Sequence, residues 1–447
     1  MSPDDNALNI ITDLIGMAKR AGADSADAIF AEGMSSSLTQ RMGKPEHLER
    51  SESIDLGLRV FVGSRQAIVS SSDISVSALD ELIERGMAMV KVVPEDPYSG
   101  IAPSELLATT FPDLDECDLQ EPSEKILTER AAKAEDAARS VPGVTNSEGA
   151  MAGWGQSTVA IAASNEFAKL RSRSSHSLSV SVLAGKDTAM ERDYEYATAV
   201  HAEDLPSPES LGASAGEKAV RRLNPQKAHS AQVPIVYDPR VANSLLSHLA
   251  NAISGTAVAR GTTFLADKLN EKIFAEGITI TDDPLRFRGL RSKSFDGEGI
   301  QTKPHDVVDG GTLTTWILDL RSSRQLGLDT TGHATRGTSS PPSPSVTNFY
   351  MAPGECSPKD LIDGIENGMY VTELIGMGVN GVTGDYSRGA SGFWINKGEL
   401  TYSVSEVTIA GNLIDMFANI TAANDLEFRF GTNAPTLCVE GMTVAGK

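Results

Sequence analysis

The chain has 447 residues, 40% of them hydrophobic, and 60 acidic against 39 basic side chains leave a formal charge of −21. That length exceeds one ordinary core and predicts two large domains, while the composition excludes a wholly disordered chain. No apolar run of about 18 residues supports a membrane span, and the acidity repels a phosphate backbone, so neither a membrane nor direct nucleic-acid binding is expected.

In chain order, Met1-Ser2-Pro3-Asp4-Asp5 lacks a basic stretch before an apolar core, which argues against a secretory signal. Leu8, Ile11, Ile15 and Ala18 recur at helical spacing and predict a helix over 8–21, stopped by Gly22. Strands are expected over 26–32 and 56–62, the second with a hairpin partner over 65–70. Ser77, with Asp80 three residues later, predicts a reciprocal cap for a helix running to 92. A further helix is expected over 123–139, then strands over 156–163, 178–184 and 189–201, and a helix started by Pro208. These elements predict an α/β N-terminal domain with a mostly antiparallel sheet, residues 1–230.

The remainder, 231–447, is rich in Gly, Thr, Val and Ile and reads as a β-rich C-terminal domain, giving an α+β chain. Strands are expected over 233–237, 272–280, 312–320, 346–351, 392–395, 399–404 and 437–444. One helix should run over 239–254. Another follows Ser357-Pro358-Lys359-Asp360, where Ser caps and Asp takes the third position, and should end at Gly368. Pro341, Pro342 and Pro344 mark an exposed loop.

Chemistry-bearing motifs are sparse. Cys117, Cys356 and Cys438 are odd in number and scattered, so no disulfide framework is expected and a reducing, cytoplasmic setting fits. Arg171 with Arg173, Arg221 with Arg222, and Arg286, Arg288, Arg291 and Lys293 are small basic groups; the last could reach phosphates or acidic peptides, but without interleaved aromatics it reads as a solvated face. His305-Asp306 and Gly332-His333 have no third ligand at a diagnostic spacing. Ser247-His248 is not a nucleophile–base pair, because neighbours on a helix point apart. Gly381, Gly384, Gly389 and Gly392 resemble a phosphate loop only superficially, since no Gly-Lys-Ser/Thr ending follows. They read as tight turns, with Asp385 and Arg388 able to pair across them.

The segments Val233-Pro234-Ile235-Val236-Tyr237-Asp238-Pro239, Gly381-Val382-Thr383-Gly384-Asp385-Tyr386-Ser387-Arg388-Gly389-Ala390-Ser391-Gly392-Phe393-Trp394 and Ser403-Val404-Ser405-Glu406-Val407 occur in this order, with Met442-Thr443-Val444-Ala445-Gly446 closing the chain. Together they resemble the TldD/PmbA family, known also as the modulator of DNA gyrase family. The resemblance is strong over the last 220 or so residues and weaker before them. It implies a heterodimer of TldD-like and PmbA-like (TldE-type) subunits that processes unfolded peptides, including modified-peptide precursors and an antitoxin. In the metal-carrying branch a His-Glu-x-x-x-His helix motif and a downstream Cys bind zinc. The corresponding positions here are Leu246, Ser247 and Asn251, of which Leu cannot ligate, Ser is no general base at neutral pH and Asn is a weak neutral ligand.

Cys438 lies after a proline that the family's ligating cysteine precedes, so it should not inherit that role. The implied function is therefore a metal-free subunit, non-catalytic itself, with no cofactor of its own and zinc in a TldD-like partner. A homodimer is expected in isolation. Asn348, Asp385 and Arg388 are the candidate peptide-binding residues. The other readings are an active metallopeptidase in its own right, and a scaffold acting on DNA gyrase indirectly.

Overall fold

A computed structural model describes residues 3–446; Met1 and Ser2, which open the N-terminal stretch read above, and Lys447 lie outside them. Helix α1 (Pro3–Arg20) precedes the hairpin β1 (Ser25–Arg41) and β2 (Lys44–Val62), then β3 (Arg65–Ser71) and α2 (Val76–Val90). Helix α3 (Glu124–Ser140), strands β4 (Val144–Ala163), β5 (Ala168–Ala184) and β6 (Glu191–Ala199), and α4 (Pro208–Arg221) complete the first half. The six strands form one antiparallel sheet in the order β3-β2-β1-β4-β5-β6.

Strand length dictates how this sheet is covered. A strand of 17 residues spans about 55 Å, roughly twice the length of an 18-residue helix. One helix pair cannot shield it. Ala26, Ala28 and Phe30 accordingly pack with Leu56, Leu58 and Val60 beneath α1 and α2. Leu38, on the same face of β1, packs with Ala150, Ala152, Leu178 and Val180 beneath α3 and α4.

The opposite face receives the second half of the chain. Ile29, Ile161 and Phe167 pack with Phe295, the two rings 5.3 Å apart edge to face. Buried Asp27 accepts from Arg59 on β2 (3.0 Å) and pairs with Arg336 (2.6 Å). A Cβ on Gly57 would lie 2.1 Å from the Thr338 carbonyl oxygen, so glycine is what lets that backbone cross the sheet.

The second half begins with β7 (Ala231–Tyr237), α5 (Pro239–Ala252) and α6 (Gly255–Ala259). Short elements follow: β8 (Ile280–Asp282), β9 (His305–Asp309), β10 (Thr312–Leu313), α7 (Leu320–Leu326), β11 (Ala334–Thr335), β12 (Ser343–Pro344), β13 (Phe349–Met351) and α8 (Pro358–Asp363). Longer strands close the half: β14 (Asn367–Val379), β15 (Asp385–Asn396) and β16 (Glu399–Asn412), then α9 (Leu413–Ala418), β17 (Ile420–Ala422), β18 (Thr432–Asn433) and β19 (Leu437–Ala445). The main sheet runs β16-β15-β14-β7-β19-β17, and β16 also pairs with β19 through Thr408 and Ala445, closing a ring. The α+β architecture with a β-rich second half is as expected from the sequence.

Several local expectations are corrected. The second helix begins at Val76, with Ser75 rather than Ser77 in the cap position and no side-chain cap bond; Asp73 Oδ1 accepts from the Ser75 N–H (2.8 Å) and sets the entry turn. β2 starts well before 56, because its first ten residues are exposed and carry no inward alternation to read. Of 272–280 only Ile280 is strand; Ile273 and Phe274 donate instead to the Gly311 carbonyl. At 312–320 only Thr312–Leu313 is strand, and Leu320 opens a helix boxed by Asp319 and Ser322. The Ser357/Asp360 capping box forms, yet that helix stops at Asp363 and β14 takes over. Pro342 is buried and Pro344 pairs with Ala334, so that stretch is not simply exposed loop. The stretch 384–389 is mostly strand β15, not loop; within it only Gly384 has the positive φ (81°) of a turn glycine.

Candidate functional site

Helix α5 is fixed at its start. The Asp238 carboxylate accepts from the Arg240 N–H (3.0 Å), Pro239 takes the first turn, and the Tyr370 hydroxyl donates to Asp238 (2.9 Å). The Arg240 guanidinium clamps buried Asp193 on β6 (2.6 and 3.1 Å), tying the helix to the first half. A regular helix turns about 100° per residue, so residues 246 and 251 face about 140° apart. Leu246 is fully buried with Leu245 and Leu249 in the main core, whereas Ser247 and Asn251 are exposed. Ser247 Oγ bonds back to the Asn243 carbonyl (3.1 Å), a helix-internal use that leaves no aimed nucleophile.

Asn251 lies on the wall of a cavity of about 300 Å³ that His248, Thr262, Phe264, Met377 and Arg388 also line. Two candidates from separate segments, Asn251 and Arg388, are thus brought together. His248 Nε2 is buried without a protein partner among the described residues, and its ring meets Tyr386 edge to face at 6.0 Å. Burial first, then the Arg388 charge, hold the imidazole below its usual pKa. Arg388 Nε donates weakly to the Ile375 carbonyl (3.4 Å). Beside it Ile375 and Met377 are exposed, Met377 at 89%, at a bulged end of β14.

This donor set does not fit zinc. One depressed imidazole, an amide and a hydroxyl offer at most one good ligand, and a guanidinium on the same wall repels a dication. Among the described residues no group of three or more His, Cys, Asp or Glu side chains converges to hold a metal. The arrangement can instead donate hydrogen bonds to carbonyl or carboxylate oxygens against an apolar rim. Thr262, Phe264 and Met377 were not singled out from sequence; the first two come from the loop after α6 and the third from the far end of β14, with no shared motif.

The remaining candidates fall elsewhere. Asp385 accepts from Thr383 Oγ1 (2.6 Å) and Asn412 Nδ2 (3.2 Å), and it does not pair with Arg388, because three positions apart on the regular strand β15 their side chains leave opposite faces. Asn348 is 2% exposed; its Oδ1 accepts from the Arg291 N–H (2.9 Å) while its amide donates to the Asp283 carbonyl and Ser292 Oγ. Cys438 is buried, its thiol pushed up to about 12 by burial and by Glu440.

His305 and His333 do approach, at 5.4 Å between rings, but His333 is committed to Asp282 (3.0 Å), which Thr347 also bonds. Of the downstream basic group Arg291 is exposed, as expected, whereas the other three are engaged with the protein. Lys293 is buried and donates to the Ala334 carbonyl (3.1 Å), Arg288 binds Asp115 (2.6 Å) and Glu203 (2.7 Å), and Arg286 lies over the Phe428 ring.

Family models for the PmbA/TldA metallopeptidase match three stretches: domain 1 over residues 26–90, the central domain over 116–223 and the C-terminal domain over 230–446. The chain belongs to the PmbA/TldD family. The metalloprotease PmbA of Escherichia coli O157:H7 is 36% identical over 427 residues, spanning 95% of this chain and 93% of that protein. A candidate modulator of DNA gyrase from Bacteroides thetaiotaomicron has a crystal structure similar over 100% of both chains, at a TM-score of 0.91 and 28% identity. TldE from Thermococcus kodakarensis shares the fold, with a TM-score of 0.88 at 21% identity over 98% of this chain and 100% of that one. Family membership links the chain to PmbA/TldD metallopeptidase machinery. Among the described residues no helix is long and apolar enough to cross a membrane.

Proposed function

We propose that this chain is the metal-free, peptide-holding subunit of a TldD/TldE-type metallopeptidase complex, with zinc and hydrolysis supplied by a TldD-like partner. One observation carries the reading: of the three motif positions, Leu246 belongs to the core, while Ser247 and Asn251 carry no metal-ligating or basic group to the cavity that Arg388 occupies. The substrates are unfolded peptides, held mainly by their main chains so that varied sequences are accepted. Arg388, Asn251 and His248 supply donors for peptide oxygens, and exposed Ile375 and Met377 offer an apolar margin. Asp385 shapes the adjoining turn. Asn348, with its bonds already made, supports a neighbouring loop. Setting the chain in the cytoplasm agrees with its three free cysteines.

The test uses the chain mixed with a TldD-like subunit. Arg388→Gln should slow peptide processing several-fold while zinc content and assembly stay unchanged. Unaltered processing, or a complex that falls apart, would remove Arg388 from substrate holding. In isolation the chain pairs with a copy of itself through the surface its related partner would cover. Light scattering at the monomer mass of 47.3 kDa, well above micromolar concentration, would contradict this.

A further inference from the structure

Two basic groups far apart in sequence meet at the seam between the halves. Lys169, Arg171 and Arg173 alternate along β5 and so leave the sheet on one face. Their partners across β4 are Ile161, Val159 and Ser157, and Ile161 packs on Phe295, so this is the face on which the second half docks. That half brings Arg291 opposite Arg173, across a cavity of about 440 Å³ that Ser157, Ser175, Thr198 and Gly431 also line. A second cavity of the same volume adjoins Arg171 and Lys169. Neither is lined by any residue of the cavity beside α5.

These cations are undercompensated. Among the described residues the guanidiniums of Arg171, Arg173 and Arg291 make no hydrogen bond or ion pair. Glu116 is the chief counter-charge felt by Arg171 and Arg173, and Arg291 and Lys293 stand near enough to repel. Gly431 leaves room for the exposed Arg291 side chain, whose Nε lies 2.1 Å from where a Cβ would sit. Elsewhere at the same seam Arg288 is held by Asp115 and Glu203, and Arg336 pairs with Asp27 through Nη1 while its Nε and Nη2 stay without a hydrogen-bond partner among the described residues. A chain of net charge −21 that leaves guanidiniums unpaired around a cavity is complementary to an anionic group brought from outside.

We propose that the cavity between Arg173 and Arg291 is a carboxylate-recognition site, holding an Asp, Glu or C-terminal carboxylate of a bound peptide at the seam between the halves. Guanidiniums bind carboxylates through paired N–H donors, and Ser157, Ser175 and Thr198 add hydroxyls. A long polyanion is repelled by the rest of the surface, whereas one or two carboxylates on an otherwise neutral, flexible peptide enter freely. The site rests on the peptide-holding reading only for its choice of carrier; it is measured on this chain alone, so its failure is separable from failure of the reconstituted peptidase.

The probes are a fluorescein-labelled, C-terminally amidated Gly/Ser peptide with two adjacent Glu residues, and its twin with Gln. At low salt the Glu peptide should bind roughly tenfold more tightly by anisotropy and raise the wild-type melting temperature. Arg173→Gln with Arg291→Gln should erase the preference while the melting temperature holds or rises, because no partner is lost. Equal binding of the two peptides, or a preference surviving in the double variant, overturns the site. So does a Glu peptide that fails to stabilise the wild type, which decides the matter even if the variant folds poorly. Displacement by inorganic phosphate, at concentrations where acetate has no effect, would overturn the carboxylate assignment in favour of a phosphoryl ligand.

Discussion

The inward face of α5 is ordinary core, with Leu245, Leu246 and Leu249 all at most 1% exposed, whereas its outward face carries His248 and Asn251 to a concavity of about 300 Å³. Under the proposed reading, the three positions matched to the zinc motif divide between these faces: Leu246 is packed in the core, Ser247 bonds back to its own helix, and Asn251 lines the cavity that Arg388 also lines.

The division predicts an asymmetry between substitutions. Leu246→His puts a polar ring where no partner waits, and should destabilise the chain by about 3 kcal/mol or more in urea unfolding; a loss under about 1 kcal/mol would show that the inward face is not committed to packing. The buried seam should give the next largest effect. Burial first, and then Asp296, push Glu298 up to about 8 from an ordinary 4.5. The folded state thus keeps a proton that the unfolded state has released, so this contribution is fully present below about pH 4.5 and is lost as pH rises through about 8. Glu298→Gln should match the wild type in stability near pH 5 and exceed it near pH 8; a pH-independent difference would contradict the burial.

On the outward face the effects are smaller. His248 should titrate below 6.5 by NMR, and Arg388→Gln should raise its pKa by removing the neighbouring charge. Because the folded pKa is depressed, His248 costs stability only as pH falls below about 6.5. An unshifted resonance in the variant would separate the two side chains. Least of all, Ser247→Glu with Asn251→His should change stability by no more than about 0.5 kcal/mol and still confer no tight zinc binding.

Legibility from sequence followed periodicity. Where one face is buried and the other wet, as in α1, α3 and the last part of β5, the pattern located the element; the start of β5, the exposed arm of β2 and the irregular run 272–279 carried no such signal. Capping was readable at Ser357 and misplaced at Ser77, because an Asx turn at Asp73 governs the entry. Asn251 and Arg388 were readable as candidates one at a time. Their convergence was not, since it depends on how β15 lies beside α5, and neither was the meeting of Arg173 with Arg291, which depends on how the halves dock.

The central claim is that this subunit holds peptide while its partner performs the hydrolysis. The most direct measurement is zinc per chain and peptide hydrolysis, after a brief chelator wash, for the purified chain alone and for the chain mixed with a TldD-like subunit. The account predicts less than one equivalent of zinc and no hydrolysis for the chain alone, with activity appearing in the mixture. About one zinc per chain, with hydrolysis in the absence of any partner, would contradict it.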